Sequence, residues 1–131
     1  MIKKILVIIL LYLLAQPGLF AQQDAPAFKF EELKYDFGDI LQGKVVEHQF
    51  EFVNAGSTPL IISNVITTCG CTAPIWPKEP IKQGEKGTIK IVFNSTGKIG
   101  RQNKVVTILS NASNQKERLF IIANVIPEAM E

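Results

Sequence analysis

The chain has few of the residues on which most enzyme and metal sites depend. Its 131 residues include one histidine, His48, and two cysteines, Cys69 and Cys71. A single histidine, together with the lack of a Gly-x-Ser-x-Gly segment, argues against a serine hydrolase. Structural zinc normally takes four ligands, more than two thiolates and one imidazole supply. We therefore expect no resident cofactor and no enzyme activity, with thiol redox chemistry as the one candidate.

The chain also lacks an excess of charge of either sign. It has 14 Lys and Arg against 12 Asp and Glu, and loss of Lys3 and Lys4 with a leader would leave 12 of each. The basic residues are scattered singly, which argues against nucleic acid and anionic membranes as partners. Glu47 and Glu51 are four apart in a predicted strand, about 13 Å, which is too wide for paired acid and base catalysis.

No apolar run is long enough to cross a bilayer. The longest, Ile5 to Ala15, has about 11 residues, whereas a spanning helix needs ~20. Two lysines precede it and a helix-breaking Gln-Pro-Gly segment follows, as in a secretory signal peptide. We predict a signal peptide at residues 1–21, cleavage after Ala21, and export to the periplasm or the extracellular side, with no transmembrane anchor after cleavage.

The rest of the chain, about 110 residues, has the length of one domain and shows no convincing helical period. Apolar residues alternate with polar ones between turn signals, which predicts about seven strands, among them residues 28–37, 45–54, 60–67, 88–94, 104–110 and 116–126. The proline-rich residues 73–80 are expected at a sheet edge or outside the sheets. This pattern is typical of an all-β, immunoglobulin-like β-sandwich.

We assign residues 22–32 to an N-terminal linker or first edge strand, and residues 33–131 to the immunoglobulin-like domain. The side chains on the apolar faces of the strands form the predicted core. They are Phe50, Phe52, Ile62, Ile89, Ile91, Phe93, Val106, Ile108, Leu119 and Ile121.

Several motifs follow one another along this domain. They are Phe-Glu-Phe-Val-Asn-Ala-Gly at 50–56, Pro-Leu-Ile-Ile at 59–62, Cys-Gly-Cys-Thr-Ala-Pro at 69–74, Gly-Glu-Lys-Gly at 84–87 and Ser-Asn at 110–111. In this set the chain resembles a family of exported bacterial domains of unknown function, common in Bacteroidetes and marked by Cys-Gly-Cys-Thr. That family is similar to the immunoglobulin-like domains of major sperm protein, abnormal spindle and hydin. The resemblance implies an immunoglobulin-like module outside the cytoplasm, without an established activity. Gln83 departs from the family's usual proline, which bears on the rigidity of that turn.

Three interpretations of the cysteine pair remain open. An oxidising compartment favours a disulfide between Cys69 and Cys71, and Gly70 would give the backbone freedom to bend there. A three-residue loop predicts a stabilisation of about 1.5 kcal/mol or less, so the bridge would be a weak staple and easily reduced. A structural corner could also hold the two cysteines as small buried thiols, and the alternatives to a structural corner are thiol exchange and the binding of Cu(I) by the two thiolates.

Two other side chains are candidates for a site. Trp76 either anchors a protein or glycan partner or folds back over the cysteine corner and seals the core. His48 lies on the apolar face of its strand, where a core histidine with a satisfied hydrogen bond is expected more often than a metal ligand. The Asn-x-Ser/Thr segments at 94–96 and 111–113 are interpreted as turns.

Two classes of function follow. The first is an exported, non-enzymatic immunoglobulin-like module that binds an envelope protein or glycan through loops or an edge strand. The second is a small redox or Cu(I)-handling protein that uses Cys69 and Cys71.

Overall fold

One helix and eight strands make up the described part of the chain, residues 1–15 and 24–128 of a computed structural model. The elements are α1 (Ile2–Leu14), β1 (Phe28–Phe30), β2 (Lys34–Leu41), β3 (Val45–Asn54), β4 (Ile62–Thr67), β5 (Thr72–Ile75), β6 (Lys86–Asn94), β7 (Gly100–Ser110) and β8 (Lys116–Ile126). The predicted cleavage point after Ala21 lies outside the described residues.

The strands form two four-stranded sheets, in the orders β1-β3-β6-β5 and β2-β8-β7-β4. Neighbouring strands are antiparallel except β2 and β8, which are parallel. The prediction of an all-β, immunoglobulin-like sandwich is confirmed.

The predicted strand at residues 28–37 is wrong in one respect, because the chain changes sheets within it. The amide of Glu31 still donates to Glu51 on β3, whereas the carbonyl of Leu33 already accepts from Phe120 on β8. β1 and β2 therefore form separate strands in different sheets. Alternation of apolar residues does not reveal this switch, because the period is the same on either side of it.

A further strand that was not predicted is β5, which overlaps the start of the proline-rich segment. It pairs with β6 and forms the edge of its sheet. Pro74 is tolerated there because an edge strand needs ladder hydrogen bonds on one side only. The expectation of an edge position for this segment is confirmed for residues 73–75.

The core lies between the sheets and contains all ten predicted residues. The strand period explains the agreement, since inward side chains recur at every second residue. The buried core also includes residues of strands and turns that were not predicted, namely Leu60, Val65, Ile81, Ala112, Ala123 and Val125.

Helix α1 is separate from this core, because none of its residues is buried. Its apolar side chains are exposed along the whole length of the helix. No helix among residues 1–15 and 24–128 has the length and apolar character needed to cross a membrane.

Candidate functional site at the Cys-Gly-Cys corner

The cysteine pair lies where the chain crosses from one sheet to the other. β4 ends at Thr67 on the edge of the second sheet, and β5 begins at Thr72 on the edge of the first. Cys69 and Cys71 are joined by a disulfide, with their Cα atoms 5.1 Å apart. Both cysteines are half-buried, and Cys71 packs against the core. The corner therefore closes one open side of the sandwich.

Hydrogen bonds hold the backbone around this disulfide. The Thr67 hydroxyl lies 3.1 Å from the carbonyl oxygens of Cys69 and Thr72, at the two ends of the corner. The Thr72 amide donates to the Cys69 carbonyl at 3.1 Å, and the Asn94 amide donates to the Cys71 carbonyl at 2.9 Å. The crossover is fixed to β6 by backbone contacts that do not depend on the sulfur atoms.

Gly70 does not have the role expected from the sequence. Its φ angle is not among the positive values, which occur at other glycines of the described chain. A methyl group built on Gly70 meets no atom within 4 Å. The backbone bends here in a conformation that other residues also adopt, so this position does not require glycine's conformational freedom.

Trp76 follows β5 and is half-buried against the core. The Lys78 Nζ atom lies 3.0 Å from the centroid of its ring, the geometry of a cation–π contact. Trp76 thus contacts the core and carries the ammonium group on a ring face. A sugar or aromatic partner that stacked on that face would have to displace Lys78.

His48 lies on the other side of the sandwich from the cysteines. It is half-buried and pairs with Glu32, which precedes β2. Its ring stacks on Tyr35 of β2 with centroids 3.6 Å apart and meets Phe50 edge to face. The imidazole therefore joins β3 to β2 where the chain changes sheets, and the structure does not bring it together with Cys69 and Cys71.

The described residues contain no group of three or more His, Cys, Asp or Glu side chains arranged to hold a metal ion. A Cu(I) ion bound by reduced Cys69 and Cys71 would need only these two ligands.

Sequence reasoning missed Asn54, which is fully buried at the end of β3. Its Nδ2 donates to the carbonyls of Thr58 and Ile81 at 2.8 and 2.9 Å. Its Oδ1 accepts from the amides of Ala27 and Gly56 at 3.2 and 3.0 Å. The segment Asn-Ala-Gly gives only a turn signal in the sequence, because the long-range partners are set by the fold.

Ser95 is a second buried polar residue inside a predicted turn. Its hydroxyl donates to the carbonyl of Lys44 at 2.7 Å, and the Leu41 carbonyl lies 3.2 Å away. The Ser95 side chain thus fastens the β6–β7 turn to the β2–β3 turn. Asn54 and Ser95 are structural residues, and neither reaches the cysteine corner.

Solved structures with this architecture come from both bacteria and humans. A protein of unknown function from Porphyromonas gingivalis W83 has a TM-score of 0.68 and 18% identity, covering 82% of this chain and 51% of its own. The ASH/PapD-like domain 7 of human CEP192 has a TM-score of 0.67 and 10% identity, covering 85% and 93%. The YadV chaperone has a TM-score of 0.55 and 15% identity, covering 79% and 53%.

These likenesses establish the fold alone, because the identities are low. The chain spans about half the length of the Porphyromonas gingivalis protein. No curated protein is significantly similar to the chain in sequence. A family model does match, over residues 28–125, and its description is a protein of unknown function. The span covers the sandwich from the first residue of β1 almost to the end of β8, and the chain belongs to this family, DUF1573.

Proposed function

We propose that this protein is an exported, non-enzymatic immunoglobulin-like module that binds a protein or glycan of the cell envelope. The observation that carries the proposal is the state of the cysteine pair. The most reactive side chains in the sequence are bonded to each other in a backbone corner held by Thr67 and Thr72. The proposed binding therefore uses exposed surface in the loops and at the sheet edges.

Two further observations support this proposal. Helix α1 begins with two lysines and continues with apolar residues, and none of its residues is buried. This is expected of a leader that does not belong to the folded domain. A disulfide is also typical of proteins in oxidising compartments outside the cytoplasm.

The test is chemical cross-linking of the affinity-tagged protein in intact cells, followed by mass spectrometry of the captured protein and glycan. The matched variant replaces both Cys69 and Cys71 with serine. We expect wild type and the double variant to capture the same envelope component in similar amounts, because binding uses surface away from the sulfur atoms. Failure of the wild type to capture any component would contradict the proposal.

A redox or Cu(I)-handling role is the second candidate, favoured by the partial exposure of both cysteines and the exposure of Gly70 between them. In this mechanism a thiolate of an external dithiol attacks one sulfur, and the other leaves as a cysteine thiolate. The second external thiolate then resolves the mixed disulfide, leaving the pair reduced and the external dithiol oxidised. The two thiolates so formed would be the Cu(I) ligands.

Alkylation of the native protein before and after graded reduction separates the two candidates. A pair that stays unmodified until strong reductant is present fits the binding module. A pair that opens at mild potential, or that is isolated with copper, supports the redox or Cu(I) role instead. In that case the serine double variant would lose the activity.

A further inference from the structure

Four strands are edge strands of the two sheets, and three of them have features that oppose pairing with another strand. β1 has three residues. β5 contains Pro74. β2 contains two aspartates and a bulge, and Asp36 Oδ1 accepts from the amide of Gly38 at 2.8 Å. Short length, proline, bulges and edge charges are the usual protections of exposed strands.

β4 is protected less than the others. Its six residues, Ile62–Thr67, include no proline, lysine, arginine or acid. The register with β7 is irregular near Ser63 and then regular from Asn64 to Thr67. In the described chain β4 pairs with β7 only, so its other side presents free backbone groups.

The Asn64 side chain marks the direction in which these free groups point. Its Oδ1 accepts from the next amide, Val65 N, at 2.9 Å. An amide bonded in this way points away from β7, and alternation along an antiparallel strand places the Thr67 amide on the same side. The carboxamide oxygen thus stands where the carbonyl oxygen of an added strand would lie. Asn64 itself is exposed, so its side chain has room to turn away.

The outer face beside this edge is mixed, with one exposed apolar side chain on β4 and, in the same row, Thr107 of β7 and Arg118 of β8. Ile66 is 48% exposed and pairs with Thr107. Two residues along β7, Val105 pairs with Phe120 of β8 on the same face, and both are half-buried. A side chain of an added strand would therefore lie next to Ile66, one row away from the apolar pair of Val105 and Phe120.

We propose that the free edge of β4 binds an extended, uncharged segment of a partner polypeptide as an additional strand. A backbone carbonyl of the segment replaces Asn64 Oδ1 as the acceptor of the Val65 amide, and the segment places an apolar side chain beside Ile66. This inference rests on the proposed binding function and narrows the partner from protein or glycan to a polypeptide strand. A second copy fits less well, because two edges of about 20 Å bury well under the ~1,200 Å² of a stable dimer, whereas a transient contact with a peptide segment does not need that area.

The test uses a phage-displayed library of unstructured nine-residue peptides, selected against the wild-type protein. The strongest selected sequence is then synthesised, and its affinity is measured for wild type, Ile66→Lys and Ile75→Lys. Ile75 is the matched control, an exposed isoleucine on the edge strand of the other sheet. Circular dichroism confirms that each variant is folded.

We expect selected sequences to alternate apolar and uncharged polar residues. Ile66→Lys should weaken binding by roughly tenfold or more, about 1.4 kcal/mol, with less than about a twofold change for Ile75→Lys. In the wild type, the bound peptide should slow hydrogen exchange at the Val65 and Thr67 amides. Asn64→Ala should speed exchange at Val65 in the free protein and tighten peptide binding.

Equal affinities for wild type and Ile66→Lys, protection at β2 or β5 instead of β4, or selection of no peptide would each overturn the inference. Self-association that Ile66→Lys abolishes would assign the edge to a second copy and also overturn it. These outcomes are separate from failure of the proposed function. If wild-type protein captures an envelope component and Ile66→Lys captures it equally, the proposed binding function is supported and the inference that the β4 edge binds the partner is wrong.

Discussion

Single residues in this protein hold segments together that are distant in the sequence. Asn54 connects the approach to β1, the β3–β4 turn and the loop before β6 through four side-chain hydrogen bonds. Gly87 leaves room for the side chain of Phe52, since a methyl group at Gly87 would lie 2.4 Å from the ring of Phe52. Both residues are limited by their surroundings, so small substitutions should have large effects.

Asn54→Ala removes both acceptor and donor groups from a fully buried position. It leaves the carbonyls of Thr58 and Ile81 and the amides of Ala27 and Gly56 without these partners. We expect the free energy of unfolding in urea to fall by roughly 2–4 kcal/mol. The exposed Asn114→Ala is the control and should change it by less than about 0.5 kcal/mol. Equal effects of the two substitutions would contradict the structural role.

Gly87→Ala should destabilise the fold by about 1–3 kcal/mol, because Phe52 must move within a packed core. Gly70→Ala, between the cysteines, should change stability by less than about 0.5 kcal/mol, since its added methyl group contacts nothing within 4 Å. Thermal unfolding of the two variants under the same conditions measures both. A larger loss at Gly70 than at Gly87 would contradict this packing.

At the scale of elements, the chain closes both open sides of the sandwich by changing sheets. On one side β1 passes to β2, and the pair of His48 and Glu32 with the stacked Tyr35 ties this crossover to β3. On the other side β4 passes to β5 through the cysteine corner. Backbone hydrogen bonds from Thr72 and Asn94 support that corner in addition to the disulfide.

The double variant Cys69→Ser with Cys71→Ser should therefore remain folded. A three-residue loop restricts the unfolded chain little, so the loss in the free energy of unfolding should be about 1.5 kcal/mol or less. Reduction of the wild-type protein should give a loss of the same size, which provides the control. A global loss of strand signal in circular dichroism on reduction would show that the disulfide has a larger role.

At the scale of the whole molecule, the N-terminal helix and the sandwich are energetically separate. α1 buries no residue, whereas β1 contributes Phe28 and Phe30, whose rings lie 5.1 and 5.3 Å from that of Phe52. The folded unit therefore includes β1 and does not need α1.

Removal of residues 1–21 should leave the free energy of unfolding within about 0.5 kcal/mol of the full chain. Removal of residues 1–30 should lower it by roughly 2–4 kcal/mol, because two aromatic side chains leave the core. Chemical denaturation of the three chains compares them directly. Equal stability of the two shortened chains would show that β1 does not belong to the folded unit.

The sequence predicted the sandwich because a half-buried strand repeats its inward side chains at every second residue. That local period identified β3 and β8 to the residue and placed Phe50, Phe52, Ile89 and Phe93 in the core. The spacing of the two cysteines singled out this pair as well, since two thiols separated by one residue can meet without help from the rest of the fold.

Other features were decided only by the tertiary structure, because they join residues far apart in the chain. The switch of residues 28–37 between sheets depends on which neighbour, β3 or β8, accepts each backbone segment. The four partners of Asn54, the placement of His48 beside Glu32, and the free side of β4 depend likewise on strand order. Local alternation specifies which side chains face inward, and packing between distant strands determines which edges remain open.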